Sequence, residues 1–350
     1  MSDLALHTIF CSEREPNRLW EIPHLGFGHT FLHQRFISVR GRYIHYNPDV
    51  LSHLRRFAPD VIVTTGFNPT HLCGFAYAKM KGLRHVPMTD GTDVSERSLS
   101  RLHRTVRRFV YARSSAFVSA SAGGQRLYES YGIAPEHCFQ SCLCIDNSAF
   151  APPLRHHEKR FDFLFSGRIE EIKNPLFALD VARSAAQRLG RKTSILFVGA
   201  GSQEEEVKRV AADSSDLVTA SFHGFASQKE LPALYRSARL FLFPTRWDPW
   251  GVVVNEACAS GLPIITSPHS GVVGELVQHR ENGFICELDV AQWAERAVSL
   301  LAHAETLESF SRRSLALVSE YTYDKAAEGL AQACRHSISE REANPERKLA

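Results

Sequence analysis

The sequence predicts an α/β protein built from two doubly wound domains. Three observations predict it: short β-rich apolar runs alternate with longer amphipathic segments, the alternation comes in two successive series, and a break near residue 150 divides them. Apolar strands alternating with helices imply parallel sheets covered on both faces. Eight evenly spaced βα units would have predicted a barrel, and the break spoils that pattern.

In the first series, strands are expected at 6–11, 61–65, 85–89, 116–119 and 139–145, with helices at 51–57, 70–81 and 99–112. In the second, strands are expected at 161–166, 193–198, 218–222, 240–243, 263–266 and 283–286. The helices of that series fall at 176–189, 204–212, 230–237 and 252–260. The break, DNSAFAPPLRHHEKRFD, is rich in proline and charge and reads as an interdomain linker around 147–160. It sets an N-terminal domain at 1–150 and a C-terminal domain at 151–330, with a last helix that can pack back on the N-terminal domain. Residues 339–350, SEREANPERKLA, carry no apolar face and read as a disordered tail.

Composition narrows the function classes. Hydrophobic residues make up 44% and charged residues 23%, as in an ordinary globular chain. A net charge of +3 is too weak to argue for nucleic acid. The 17 histidines are scattered, without the spacing of a metal motif. Of the eight cysteines, only Cys138, Cys142 and Cys144 cluster, and C-x3-C-x-C is no familiar zinc or iron–sulfur spacing. No secretory leader or membrane-length apolar run is present, so a cytoplasmic location is expected.

The second series carries the chemistry. In FLFSGRIEEIKNP a strand ends at Gly167 and Arg168, with Lys173 five residues on. Ligands of open α/β sheets sit at this strand edge, where both cations could meet one diphosphate; they could equally be surface charges flanking a turn. In ILFVGAGSQEEEVKR the next strand ends at Gly199 and Gly201, weak support for a nucleotide by itself. A third strand runs into His223 and Gly224, followed by Ser227 and Glu230 at capping-box spacing. That turn could read a nucleobase edge, or only turn.

The fourth feature is FPTRWDPWGVVVNEACASG, followed by LPIITS. Pro249 and Gly251 keep Asp248 out of a helix, which then starts at Val252 and stops at Gly261. The amides of Gly251, Val252 and Val253 would then form a helix N-terminus, a natural seat for phosphate. Glu256 follows one turn in, on the face of Val252, where its carboxylate could accept a vicinal diol. A core helix with an incidental acid at each end is the plainer alternative. A free charge amid apolar residues is costly, which argues against it.

These residues resemble a known family. DPWGVVVNEACASGLPII resembles the acid-x7-Glu signature of retaining glycosyltransferases of family 4, which have the GT-B fold of two Rossmann-like domains facing a cleft. Supporting motifs follow in family order: Gly167-Arg168 with Lys173, Gly199-x-Gly201, His223-Gly224, Phe243-Pro244-Thr245, then Gly271, Gly274-Glu275 and Asn282-Gly283. The resemblance implies a metal-independent, retaining hexosyltransferase that uses a nucleotide-diphosphate sugar as co-substrate and has no other cofactor. UDP is the first choice of nucleotide and GDP the second, on frequency in the family. It places Arg168, Lys173 and Asp248 at the reacting centre, with Asp248 in place of the usual Glu. Donor binding falls to Gly167, Gly224, Trp250, Gly251, Val252, Val253 and Glu256, and Trp250, in place of the usual Phe, would reshape the sugar pocket.

The resemblance is closest over 160–290. In the N-terminal half, Gly28 is the nearest candidate for the family's glycine-rich loop, and Asp90 stands where a histidine is usual. Both are candidate contacts to donor sugar or acceptor; Asp90 could equally be a strand-end N-cap. RSLSRLHRTVRRFVYAR, at 97–113, holds six arginines and no acid. At about 100° per residue, Arg97, Arg101, Arg104 and Arg108 form one stripe, with Leu99, Leu102, Val106, Phe109 and Val110 opposite. That stripe is either a solvated face or a contact for an anionic membrane or lipid-linked acceptor. The function expected is sugar transfer to a glycan or lipid-linked acceptor in surface polysaccharide or glycolipid assembly. The alternatives are a catalytically degenerate GT-B protein that binds nucleotide sugar as a regulator, and a GT-B sugar-nucleotide epimerase.

Overall fold

The computed structural model describes residues 3–14, 25–39, 42–152 and 159–343. The chain divides into two compact units, Met1–Ser141 with Ala326–Ala350, and Cys142–Lys325. The division falls at 141/142, upstream of the 150/151 boundary read from the linker.

The first unit opens with β1 (Thr8–Phe10), β2 (His29–Phe31), β3 (Phe36–Val39), β4 (Arg42–His45), α1 (Val50–Phe57), β5 (Val61–Thr64) and α2 (Pro69–Met80). It continues with β6 (Arg84–Thr89), α3 (Asp93–Glu96), α4 (Arg101–Tyr111), β7 (Phe117–Ser119), α5 (Ala122–Ser130) and β8 (Cys138–Gln140). β5, β6, β7 and β8 form a parallel sheet in that order, while β1 pairs with β2 and β3 with β4 in two small sheets. The central strands are short apolar runs buried on both faces, and Val86, Ala116 and Val118 are fully covered.

The second unit holds α6 (Asn147–Phe150), β9 (Phe161–Ser166), α7 (Pro175–Leu189), β10 (Thr193–Val198), α8 (Glu204–Ala212), β11 (Val218–Gly224) and α9 (Leu231–Arg236). After these come β12 (Ala238–Phe243), α10 (Val252–Ala259), β13 (Ile264–Thr266), β14 (Gly283–Ile285), α11 (Val290–Ala302) and α12 (Ala304–Val318). Its six strands are all parallel, in the order β11-β10-β9-β12-β13-β14. Strand side chains alternate between two cores, as the pleat requires. Phe163, Phe165, Ile195, Phe197, Leu240 and Leu242 pack with α7 and α11. Leu164, Leu196, Phe241 and Phe243 pack with α9 and α10 on the other face. The chain leaves β9 to build one side of the sheet and returns at β12 to build the other. The carboxyl ends of β9 and β12 therefore flank the topological switch point, where ligands of such sheets bind.

The last helix, α13 (Tyr323–Ala343), starts in the second unit and enters the first at Ala326. Gly329 lies against β8 so closely that a Cβ would stand 1.7 Å from the Gln140 carbonyl oxygen. Ala333 joins the core of Val86, Ala116 and Val118.

Two expectations are corrected. Residues 339–343, assigned to a disordered tail, continue α13, and 344–350 lie outside the described residues. The start of the expected linker is a helix, α6, because Asp146 accepts the amides of Ser148 and Ala149 and Phe150 enters the core. Residues 153–158 of that linker lie outside the described residues.

Candidate functional site

The site grows from three strand ends. β9, β10 and β11 each end at a glycine with positive φ: Gly167 at 139°, Gly199 at 130° and Gly224 at 76°. The loops after them are stitched edge to edge, Gly167 N–H to Val198 carbonyl at 2.9 Å and Gly199 N–H to Gly224 carbonyl at 2.8 Å. Gly199 and Gly201 serve this stitching. A Cβ on Gly199 would lie 2.0 Å from the Gly167 carbonyl oxygen, and one on Gly201 would lie 2.3 Å from that of Ile169. Around Gly167 and Gly224 the corresponding space is open. The G-x-G motif thus packs a loop, whereas its neighbours leave the sheet edge bare.

After β9, a turn of 3-10 helix, Glu171–Lys173, places Lys173 under the loop that follows β12. Lys173 Nζ forms an ion pair with Asp248 Oδ2 and lies 5.7 Å from the centre of the Phe243 ring. The Asp248 loop is held from both sides. On one side, Arg246 N–H reaches the Ile172 carbonyl at 2.8 Å, and Thr245 Oγ1 reaches the same carbonyl at 3.1 Å. On the other, Asp248 N–H donates to His269 and Gly271 N–H to Asp248, while Ser270 Oγ donates to Trp250. Gly271 has no alternative, since a Cβ there would sit 1.8 Å from the Pro249 carbonyl oxygen.

This framework delivers the start of α10. Gly251 has φ of 101°, and a Cβ there would press within 2.6 Å of the Phe243 ring. Among the described residues, the amides of Gly251, Val252 and Val253 donate to no protein acceptor. Three open amides and the positive end of the helix dipole make an anion seat beside Lys173. Arg168 is exposed next to Gly167, and, behind the Ser202 hydrogen bonds, its charge helps hold the Glu170 carboxyl below its ordinary range. With Glu170, Glu171, Ile172 and Arg246 it lines a depression of about 480 Å³. The two acids there have partners, Glu170 accepting from Ser202 Oγ at 2.6 Å and Glu171 pairing with Arg246 at 3.0 Å.

Glu256 follows on α10 and is 7% exposed. Burial pushes its carboxyl up to about 7, against an ordinary 4.5. The Tyr235 hydroxyl opposes that rise from a position short of a well-formed hydrogen bond, and its own acidity is suppressed by burial and by Glu256. A ligand donating hydroxyls would complete this half-made polar site.

Trp250 departs from its expected role. Its indole is 2% exposed, donates Nε1–H to Asn255 Oδ1 at 2.8 Å and packs on Tyr321 at 5.6 Å between ring centres. Asn255 in turn donates to the Leu143 carbonyl at 3.0 Å. The side chain therefore anchors the start of α10 from below and does not line a sugar pocket. Gly28 is also misplaced: its carbonyl accepts Thr8 N–H at 3.0 Å, at the amino ends of β1 and β2, opposite the edge where ligand loops sit. Asp90 follows β6 as an exposed side chain. It is not an N-cap, because Thr92 and Ser95 make the capping box of α3.

Sequence reading missed Tyr235 and Phe225. Tyr235 looks like an ordinary apolar position of α9. Phe225 is 55% exposed directly after Gly224, an aromatic surface that only the sheet edge makes meaningful. Among the described residues, no three His, Cys, Asp or Glu side chains are grouped to hold a metal ion.

The fold and this edge have counterparts. Residues 146–315 match the glycosyl transferases group 1 family. The sulfoquinovosyl transferase SQD2 of Arabidopsis thaliana is 23% identical over 80% of this chain and 57% of its own length. Spore coat protein SA of Bacillus subtilis is 30% identical over 48% of this chain and 46% of its own. The chain thus spans about half the length of the curated relatives it matches. Among solved structures, Anabaena HepE in complex with UDP superposes with a TM-score of 0.69 at 16% identity, over 83% of this chain and 82% of that one. Over residues 146–315 the chain is therefore similar to the glycosyl transferases group 1 family, and its fold is the GT-B fold of two Rossmann-like domains.

Proposed function

We propose that the protein is a retaining glycosyltransferase that takes a sugar from a nucleotide diphosphate. The observation that carries the reading is the convergence, at the switch point between β9 and β12, of Lys173, three open amides of α10 and the buried Glu256. The diphosphate would lie on the amides of Gly251, Val252 and Val253, with Arg168 and Lys173 drawing off its charge as the bond to the sugar breaks. Glu256 would accept the ribose hydroxyls, Gly167 and Gly224 would admit the ligand to the strand edge, and the exposed Phe225 ring would face the base. Asp248 would turn from Lys173 to the sugar hydroxyls. The acceptor hydroxyl would attack on the face the diphosphate leaves, and the departing phosphate oxygen would take its proton. No bound metal is required, because cations and helix amides supply the positive charge.

UDP is the proposed nucleotide, supported by the UDP complex of the HepE structure. The proposed acceptor is a glycan or lipid-linked glycan, with Asp90 as a candidate contact. An anionic membrane surface is proposed as partner of Arg97, Arg101, Arg104 and Arg108, although Arg97 lies outside α4, whose N-cap is the extended Ser100, and so breaks the single stripe read from the sequence. Leu102 and Phe109, read as lying opposite that stripe, are 72% and 52% exposed, so the segment offers apolar as well as basic surface. Among the described residues no helix is long and apolar enough to cross a membrane.

The test is a thermal-shift and sugar-release screen across UDP-, GDP-, ADP- and CMP-sugars. Stabilisation and turnover with one nucleotide, lost in Lys173→Ala and Glu256→Ala, is the expected result. Binding that persists in both variants would remove the site assignment, and binding without consumption of any donor would favour a regulator.

A further inference from the structure

The basic segment does more than present a stripe. Arg97 follows α3, Arg104 and Arg108 come from α4, and Arg126 comes from α5; together with Asp93, Glu96, Ser130 and Tyr131 they line a pocket of about 460 Å³ within the first unit. The two acids are already committed. Glu96, 7% exposed, binds both the Arg107 guanidinium and the Tyr131 hydroxyl at the pocket floor. Asp93 pairs with Arg126 at 3.3 Å. Arg97, Arg104 and Arg108 have no acid within ion-pair distance among the described residues. Three like charges lining one pocket repel one another, and an anion seated among them would relieve that repulsion.

We propose that this pocket binds a phosphate monoester. Guanidinium groups converging from separate elements suit a tetrahedral dianion, since each can present two parallel N–H donors to its oxygens. The pocket is larger than phosphate alone, and the Tyr131 ring with the Ser130 hydroxyl lines the rest. That remainder suits a hydroxylated carrier, such as a sugar ring or a glycerol headgroup. Glu96 is the device that makes the selection possible: it fixes Arg107 and Tyr131 and leaves the other arginines for the ligand. Arg101, on the same helix but outside the pocket, provides the control for the soluble ester, because a diffuse basic face of the kind proposed for a membrane would use it equally.

The experiment titrates the full-length protein with glucose 6-phosphate and with glucose, and sediments it with phosphatidylcholine vesicles with and without phosphatidic acid. The phosphate ester binds and the neutral sugar does not. The exposed pair Arg104→Gln with Arg108→Gln weakens binding at least about tenfold, the loss expected for two charge-assisted contacts. Arg101→Gln changes it less than about twofold, against that tenfold scale. Lys173→Ala leaves it unchanged, which separates this pocket from the anion seat of α10. If only vesicles with phosphatidic acid are captured, with the same dependence on Arg104 and Arg108, the ester is carried by a lipid headgroup. The proposal is overturned if Arg101→Gln costs as much glucose 6-phosphate affinity as the pair, if Lys173→Ala abolishes binding, or if neither ester nor vesicle is held.

Discussion

Replacing Glu256 by glutamine should make the ligand-free protein more stable and a poorer binder at once. Burial holds the Glu256 carboxyl at about 7, while the unfolded chain returns it to 4.5. Below 4.5 both states carry the proton and the group contributes nothing to the pH dependence. Between 4.5 and about 7 the unfolded chain loses its proton while the folded one keeps it, so stability falls as pH rises. Above about 7 the full cost is present and flat. At about 1.4 kcal/mol for each tenfold change in acidity, the cost is about 3 kcal/mol. Glutamine has the shape of the protonated acid and never ionises, so Glu256→Gln escapes it. In a domain of this size that corresponds to a gain on the order of 6–12 °C in Tm. Calorimetric melts of both proteins from acid to mildly alkaline pH would read it: the two coincide in acid and separate as pH rises. Nucleotide affinity moves the other way, because an amide offers one acceptor where the carboxylate offers two. A difference in Tm that is the same in acid and in alkali would refute the reasoning, since only a titrating group can make it grow.

Four further outcomes follow from the same geometry. Lys173→Ala weakens binding of the nucleotide diphosphate by at least about tenfold in calorimetric titration, and it also lowers Tm because Asp248 loses its partner. Asp248→Asn retains diphosphate binding, since the amides of α10 and the freed Lys173 are untouched. Trp250→Phe lowers stability by about 1–3 kcal/mol in denaturant melts, because the buried Asn255 oxygen loses its donor, while nucleotide affinity barely changes. Were the indole part of a sugar pocket, affinity would fall first. Gly199→Ala prevents stable folding, as its methyl would fall on the Gly167 carbonyl, whereas Gly224→Ala meets open space and costs only about 1 kcal/mol of backbone strain.

Much of the second unit is legible in its sequence. Strands buried on both faces must be continuous apolar runs, so FDFLFS, TSILFV and ARLFLF announce β9, β10 and β12. The end of α10 is equally plain, with Gly261 at φ of 68° just before Pro263. The first unit is harder to read. The hairpin of β3 and β4 pairs Ile37 with Ile44, yet Ile37 is 57% exposed, so no buried face imposes a pattern. The helix α5 is hidden by Gly123 and Gly124 at its start. Both are forced by contacts distant in sequence: a Cβ on Gly123 would lie 2.9 Å from Thr92, and one on Gly124 would lie 3.1 Å from the Gly91 carbonyl oxygen.

The sequence by itself determined the alternation of strands and helices, the glycines at the strand ends and the acid-bracketed helix start. Those depend on local conformation and on burial, which residue type and spacing record. Only the tertiary structure decided what each charge faces. It alone pairs Lys173 with Asp248, sinks Trp250 beneath α10 and sets Tyr235 beside Glu256. It also separates the G-x-G that packs a loop from the glycines that open an edge. The reason is physical: a side chain's partner across the sheet depends on strand order, and strand order belongs to the whole core.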